Sequence, residues 1–199
     1  MKIISFEGFE YSGKSTQIKL LKDYFKKNKI QSTFTREPGG NKDLEKIRKV
    51  ILNSDFNNLS LIMYFFASRF ALLSSLKPKG LLVFDRFFDS TYAYQKTNNE
   101  EKKLILNLIK FIKKKHVPDI TFYLKIDNKS LFLRKKNRGV LNKFDQKYLK
   151  DFTRIQNNYN EISKYKVHHR KFITLDASKS ENEIHQQIIS YLKKWKLIK

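Results

Sequence analysis

The feature that most constrains the fold is a glycine loop near the start of the chain, Gly8-Phe9-Glu10-Tyr11-Ser12-Gly13-Lys14-Ser15. It matches the pattern G-x-x-x-x-G-K-[ST], and it lies between a predicted strand at 3–6 and a predicted helix at 15–27. In that context the loop amides and the helix N-terminus form a cradle for phosphate groups. The motif predicts that Lys14 reaches the β- and γ-phosphates of a nucleotide and that the Ser15 hydroxyl binds Mg²⁺.

Strand-like and helical segments alternate along the rest of the chain, and this alternation predicts a parallel sheet with crossover helices. We therefore expect an α/β three-layer fold with a five-stranded parallel sheet, in one domain spanning 1–199. The predicted strands are 3–6, 32–35, 81–84, 120–126 and 172–175, and the predicted helices are 15–27, 43–53, 59–76, 104–115 and 184–195.

A second motif follows the apolar run 81–84, which is typical of a central strand buried on both faces. This run ends in the carboxylate Asp85, the form of a Walker B element. Many strands end in aspartate, but together with the P-loop at 8–15 the pattern predicts that Asp85 helps to hold Mg²⁺, directly or through water.

Residues 59–76 form the most apolar stretch and carry a single charge, Arg69, near the centre. A charge there costs about 2.5–3.5 kcal/mol in a membrane-spanning helix. We therefore expect a buried helix and no membrane contact, with an anion or polar ligand facing Arg69.

The formal net charge is +23, from 42 basic and 19 acidic residues. The lysines run from Lys2 to Lys199, which fits a solvated surface with skewed residue usage, although non-specific binding to a polyanion also fits the electrostatics. The absence of cysteine and of an apolar leader leads us to expect a cytoplasmic protein.

Three further segments carry a resemblance to a known family. They are TREPGG at 35–40, DRFFDSTYAYQ at 85–95 and RGVLNKFDQ at 138–146. With the P-loop, in this order and spacing, the chain resembles bacterial thymidylate kinases, P-loop nucleoside monophosphate kinases. The resemblance implies phosphoryl transfer from ATP to dTMP with Mg²⁺, giving dTDP and ADP, a helical lid at about 134–146, and a homodimer in which the region 59–76 is a possible interface.

The resemblance also implies the site residues. For ATP they are Gly8, Phe9, Glu10, Tyr11, Ser12, Gly13, Lys14, Ser15 and Thr16; for Mg²⁺, Ser15 and Asp85; for dTMP, Glu37, Pro38, Arg48, Phe65, Arg69, Arg86, Thr91, Tyr94 and Gln95; and for catalysis, Lys14, Arg86, Glu10, Arg138 and Lys143.

The implied roles divide the acceptor between base, sugar and phosphate. Phe65 would stack on thymine while Arg69 and Gln95 bond its edge. Tyr94 would lie against C2′ of the sugar and disfavour a ribose hydroxyl. The 5′-phosphate would be neutralised by Arg48 and Arg86, and Glu10 and Glu37 would position Mg²⁺ and these arginines.

Two positions depart from the family pattern. Tyr11 stands where bacterial members usually carry glycine, and Lys143 stands where they commonly carry a lid arginine. Lysine is a point charge without the bidentate fork of arginine, so Arg134 and Arg138 remain alternative lid cations.

Two other functions remain open on the sequence. The same fold could phosphorylate another nucleoside monophosphate or a deoxynucleoside. Alternatively, a basic P-loop protein could bind nucleic acid, although the segments at 35–40 and 93–95 count against this and we expect no specific nucleic-acid partner.

Overall fold

The structure is a computed structural model that describes residues 1–137 and 148–199. Within these residues, five strands form one parallel sheet in the order β2-β3-β1-β4-β5. The strands are β1 (Ile3–Gly8), β2 (Ser32–Arg36), β3 (Leu81–Asp85), β4 (Ile120–Lys125) and β5 (Lys171–Asp176). The helices are α1 (Lys14–Lys27), α2 (Lys42–Asn53), α3 (Asn58–Ser75), α4 (Phe88–Gln95), α5 (Asn99–Lys110), α6 (Asn128–Asn137), α7 (Phe152–Ser163) and α8 (Glu181–Lys194).

The centre of the sheet is buried on both faces, as the apolar run 81–84 predicted for its strand. Every residue of β1 is buried, and β3 and β4 are buried except at their last residue. In the register Phe6 lies beside Asp85 on one side and Phe122 on the other, so the P-loop and Asp85 follow neighbouring strands at the same edge. The predicted five-stranded parallel α/β fold is confirmed.

The helix predicted at 104–115 is wrong at both ends. α5 begins earlier because Asn98 caps it, with its side chain accepting a hydrogen bond from the amide of Glu101 at 2.9 Å. It ends at Lys110, because the chain turns to bury Ile112 and then forms a short 3-10 turn at Lys114–His116. Like-charged lysines at 113–115 therefore follow the helix and do not extend it.

Three helices in the described part of the chain were not predicted, and α4 matters most for the site. Seven of its eight residues are buried, so it carries no amphipathic pattern that periodicity could detect. The helix predicted at 59–76 is confirmed as α3, which begins at the cap Asn57. Across residues 1–137 and 148–199 no helix is long and apolar enough to cross a membrane.

Candidate active site

The P-loop turns from β1 into α1 through two glycines in the left-handed region, Gly8 at φ 147° and Gly13 at φ 91°. A β-carbon on Gly8 would lie 2.7 Å from the carbonyl oxygen of Leu124, so a side chain has no room there. Lys14 folds back over the loop, and its ammonium donates to the carbonyls of Gly8 and Phe9, both at 2.9 Å. Burial lowers the pKa of Lys14 to about 8.

Tyr11 adopts φ 62°, a left-handed conformation that costs a non-glycine residue energy. The glycine expected at this position from the family pattern would adopt this backbone conformation without the steric cost that Tyr11 bears. The Tyr11 side chain is nevertheless packed into the protein, since only 8 % of the residue is exposed.

Next to the P-loop, a cavity of about 260 Å³ opens between the carboxyl ends of β1 and β3 and the helices α2, α3 and α4. The structure brings all nine residues predicted for dTMP to its wall, together with Glu10, Lys14, Ser15 and Asp85. The nine are Glu37, Pro38, Arg48, Phe65, Arg69, Arg86, Thr91, Tyr94 and Gln95. The cavity therefore joins the P-loop lysine to arginines and aromatic side chains from distant parts of the sequence.

Arg86 lies at the centre of a hydrogen-bonded network on one side of the cavity. Its guanidinium donates to the carbonyl of Gly8 at 3.0 Å and to the carboxylate of Glu10 at 2.5 Å. Tyr94 donates from its hydroxyl to the other Glu10 oxygen at 2.7 Å, and its ring lies 5.2 Å from the Arg86 guanidinium carbon. The network holds the Arg86 cation against the P-loop.

Arg69 is almost fully buried in α3 and is already paired. It donates to Glu37 at 2.7 Å and to the Thr91 hydroxyl at 3.0 Å. Burial raises the pKa of Glu37 to about 7, although the attraction of Arg69 opposes that shift. Sequence reasoning expected a ligand to balance Arg69, whereas Glu37 supplies the balancing group within the protein; among the described residues, Arg69 Nη1 is buried without a hydrogen-bond partner.

The remaining acceptor candidates approach the cavity from three elements. Phe65 is 9 % exposed, packs beside Ile51 and Leu61, and lines the cavity. Arg48 reaches across to the carbonyl of Pro38 at 2.8 Å. Gln95 donates to a tyrosine hydroxyl, that of Tyr148, at 3.0 Å.

Sequence reasoning missed a buried acidic group beneath the cavity. Glu7 accepts hydrogen bonds from the Phe87 amide at 2.7 Å and from the Ser90 hydroxyl at 2.5 Å, and Ser90 in turn accepts one from Arg86 at 3.0 Å. Burial raises the pKa of Glu7 to about 8. The only signal for Glu7 in the sequence was that its partner Ser90 lies within the DRFFDST segment. A single charged residue inside a strand, as Glu7 is, forms no motif of its own.

A second pocket lies on the other side of the P-loop, lined by Tyr11, Ser12, Gly13, Thr16, Gln17, Arg134, Glu181 and Ile184. Arg134 spans it, donating to the carbonyl of Tyr11 at 3.0 Å and to that of Ala177 at 2.6 Å. Of the predicted ATP residues, Phe9 is instead buried beneath the loop, where its ring meets Phe152 edge-on with centroids 5.0 Å apart.

Arg138 and Lys143, the lid cations predicted to be catalytic, lie outside the described residues, as does most of the predicted lid at about 134–146. Within residues 1–137 and 148–199, no three histidine, aspartate or glutamate side chains gather into a metal site. Ser15 and Asp85 do line the same cavity, so a cation bound there would draw its other ligands from phosphate oxygens and water.

A P-loop on a five-stranded parallel sheet, with a cavity rich in arginine and aromatic residues beside its lysine, defines the P-loop phosphotransferases as the class. Comparison with known proteins narrows this class. The model of the thymidylate kinase family matches residues 6–188, and the chain belongs to the thymidylate kinase family.

Individual relatives agree over nearly the whole chain. The chain is 32 % identical to the thymidylate kinase of Chlorobium phaeobacteroides, across 98 % of this chain and 95 % of the relative. It is 34 % identical to that of Campylobacter hominis, across 96 % and 100 %. A crystal structure of thymidylate kinase from Ehrlichia chaffeensis superposes with a TM-score of 0.69 at 27 % identity, covering 96 % of this chain and 98 % of that one.

Proposed function

We propose that the cavity beside the P-loop is where this chain binds dTMP and receives the γ-phosphoryl group of ATP, giving dTDP and ADP. The reaction is that of the family; the side chains that carry it out are the proposal. The observation that supports it most is that Lys14, Arg86 and Arg48 line one cavity together with Phe65 and Gln95. Cations at the phosphate end and an aromatic and an amide at the other end match a nucleoside monophosphate.

The thymine end depends on Arg69 and its neighbours. Arg69 Nη1 is a buried donor without a partner among the described residues, and leaving such a donor unsatisfied is costly. A carbonyl of thymine would satisfy it, with Phe65 stacking on the ring and Gln95 and Thr91 close to the base edge. Tyr94, held by Glu10, would exclude a 2′-hydroxyl.

The acceptor oxygen requires little activation by the protein. The second pKa of a phosphate monoester is about 6, so the attacking oxygen is largely ionised at neutral pH. Catalysis then depends on alignment and on neutralising charge. Lys14 would move from the Gly8 and Phe9 carbonyls to the transferring phosphoryl group, and Arg86 with Arg48 would hold the acceptor in line.

Mg²⁺ bound with ATP belongs to this proposal. Ser15 and Asp85 would hold it, and the cation would supply additional charge neutralisation on the phosphates. The Ser15 hydroxyl and the Asp85 carboxylate are oxygen ligands of the kind that Mg²⁺ prefers, and both residues line the cavity. Glu10 would orient Arg86 and Tyr94 around this centre.

The wider organisation extends the proposal to the whole chain. We place 1–199 in a single domain with a lid at about 134–146, where Arg138 or Lys143 would act on the transferring group.

A homodimer is supported by α3, where Leu59, Met63 and Ala67 form an exposed stripe at intervals of four residues. The location would be cytoplasmic, where both nucleotides are available.

The competing acceptors are dUMP, dCMP and UMP. A coupled assay of ADP formation with each acceptor tests the assignment of the base and sugar contacts, and preference for dCMP or UMP would contradict it. The P-loop assignment is tested with Lys14→Ala, which should abolish ADP formation without unfolding the protein. Near-normal turnover in a folded variant, checked by circular dichroism, would refute the assignment.

A further inference from the structure

The positive charge of this chain is concentrated at one end of the sheet. The residues that precede the five strands, the first residue of β5, and the residues that end and follow the last helix are together termed the start edge. They are 1–2, 26–31, 75–80, 110–119, 163–171 and 193–199. These 40 residues hold 18 of the 42 basic residues and one of the 19 acidic residues, a net charge of +17. The other 159 residues carry only +6.

Hydrogen bonds join the start edge into one continuous surface. Leu82 donates to the carbonyl of Lys2 at 3.0 Å, Leu81 to that of Gln31 at 2.9 Å, and Lys171 to that of Asp119 at 2.9 Å. The C-terminal segment joins it because α8 starts beside α1, where the Gln17 side chain donates to the carbonyl of Glu181 at 2.8 Å. All five strands are parallel, so this surface lies opposite the P-loop.

The charges of the start edge are exposed and mostly without acidic partners. Seventeen of its eighteen basic residues are exposed lysines, and the other is Arg170, whose side chain is buried against Asp89. Across residues 1–137 and 148–199, Lys2 is the only one of these lysines in an ion pair, with Asp119 at 3.2 Å. Lysines near helix C-termini favour the helix dipole, but this accounts only for those that end α1, α5 and α8.

We propose that the start edge binds nucleic acid without sequence preference, as a function separate from phosphoryl transfer. Five strands spaced about 4.8 Å apart give an edge roughly 19 Å long, and duplex DNA carries one charge per about 1.7 Å of its axis. A length of duplex equal to the edge therefore carries about 11 phosphates, counted over both strands. Phe111, 74 % exposed, and Tyr165, 36 % exposed, lie next to these lysines and offer rings on which unpaired bases stack.

An anionic membrane is the competing partner. Stable attachment to a bilayer takes a second, apolar contribution in addition to basic charge. Of the start-edge residues, all of which the structure describes, Met1 and Phe111 are the only large apolar ones with more than half their surface exposed. The balance of many lysines and few apolar side chains favours a polyanion with closely spaced phosphates.

The test compares two variants with the same net charge. One replaces Lys113, Lys114, Lys115 and Lys166 of the start edge with glutamine; the control replaces Lys19, Lys103, Lys129 and Lys179, which are also exposed but lie elsewhere. Fluorescence anisotropy with a mixed-sequence single-stranded DNA and its duplex is followed at several salt concentrations. Thermal melts check folding.

We expect the start-edge variant to bind DNA roughly tenfold or more weakly than the control, with a salt dependence shallower by about 0.7–0.9 for each phosphate that the variant no longer neutralises. Its dTMP kinase activity should equal that of the wild type, since the surface is opposite the site. Equally weakened binding in both variants would mean that net charge alone attracts DNA and would overturn the proposal. Binding to anionic vesicles in the absence of DNA binding would overturn it in favour of the membrane.

Discussion

Removal of Arg69 should weaken dTMP binding and also reduce the stability of the fold, and the two effects can be measured separately. Its Nη1 has no partner among the described residues, while its other nitrogens hold Glu37 and Thr91. If Nη1 bonds thymine, Arg69→Ala should lose about 1.5–3 kcal/mol of dTMP binding. That loss corresponds to an increase in Kd of roughly 10- to 150-fold. ATP binding should not change, because the hydrogen bonds of Arg69 go to Glu37 and Thr91 and not to the P-loop, which is predicted to bind ATP.

The same substitution removes the counter-ion of Glu37. Breaking a buried ion pair costs about 3–5 kcal/mol when the remaining charge is left unpaired. Glu37 can reduce that cost by binding a proton, because burial already raises its pKa from 4.5 to about 7 and the attraction of Arg69 would be gone.

The sign of the pH dependence follows from this protonation. A carboxyl with a raised pKa in the folded state makes the free energy of unfolding fall as pH rises above 4.5, its value in the unfolded chain. In the wild type this fall ends near pH 7, the pKa of Glu37 in the folded protein, whereas in Arg69→Ala it continues to higher pH at about 1.4 kcal/mol per unit. The destabilisation should therefore be about 1 kcal/mol larger at about pH 8 than at about pH 6.

Calorimetric titration with dTMP and with ATP, and urea unfolding at the two pH values, measure both effects. Arg69→Lys serves as the control, since it keeps a charge beside Glu37 but loses the planar fork. A variant with normal dTMP affinity and reduced stability would show that Arg69 is only the counter-ion of Glu37, and the thymine contact would be refuted.

Three further predictions concern other parts of the molecule. Burial raises the pKa of Glu7 from 4.5 to about 8, so the free energy of unfolding should fall between pH 4.5 and about pH 8. Glu7→Gln should make this fall smaller. Urea unfolding at several pH values measures it, and an unchanged dependence of the unfolding free energy on pH would contradict the prediction. Lys143→Ala should lower kcat and kcat/KM about equally with little change in nucleotide affinity; if Arg138→Ala alone is impaired, the lid cation is Arg138. Met63→Glu, in the exposed stripe of α3, should shift the protein to a monomer in analytical ultracentrifugation, whereas Lys103→Glu, on another exposed surface, should not.

Local patterns were sufficient to predict the P-loop, a buried central strand at 81–84 and a parallel sheet with crossover helices. A phosphate cradle requires glycines at fixed positions, and a strand covered on both faces favours an apolar run such as 81–84, so both leave a mark within a few residues. α4 left no such mark, because a helix buried on every side lacks the polar face that reveals its period.

The acceptor candidates came from resemblance, and their contacts came only from the tertiary structure. The sequence shows that Arg69 is a charge in an apolar helix, and burial physics then demands a partner. It does not show that the partner is Glu37, 32 residues away in sequence.

What the sequence determined by itself is therefore the class of fold, the phosphate cradle and the total charge, all of which follow from residue types and short spacings. The tertiary structure decided which charges neutralise one another and where the unbalanced charge lies. Glu10 pairs with Arg86, Glu37 pairs with Arg69, and the lysines before five separate strands come to a single edge. Those pairings depend on distance in space, and only the packing of parallel strands brings such distant residues within reach of Coulomb and hydrogen-bonding forces.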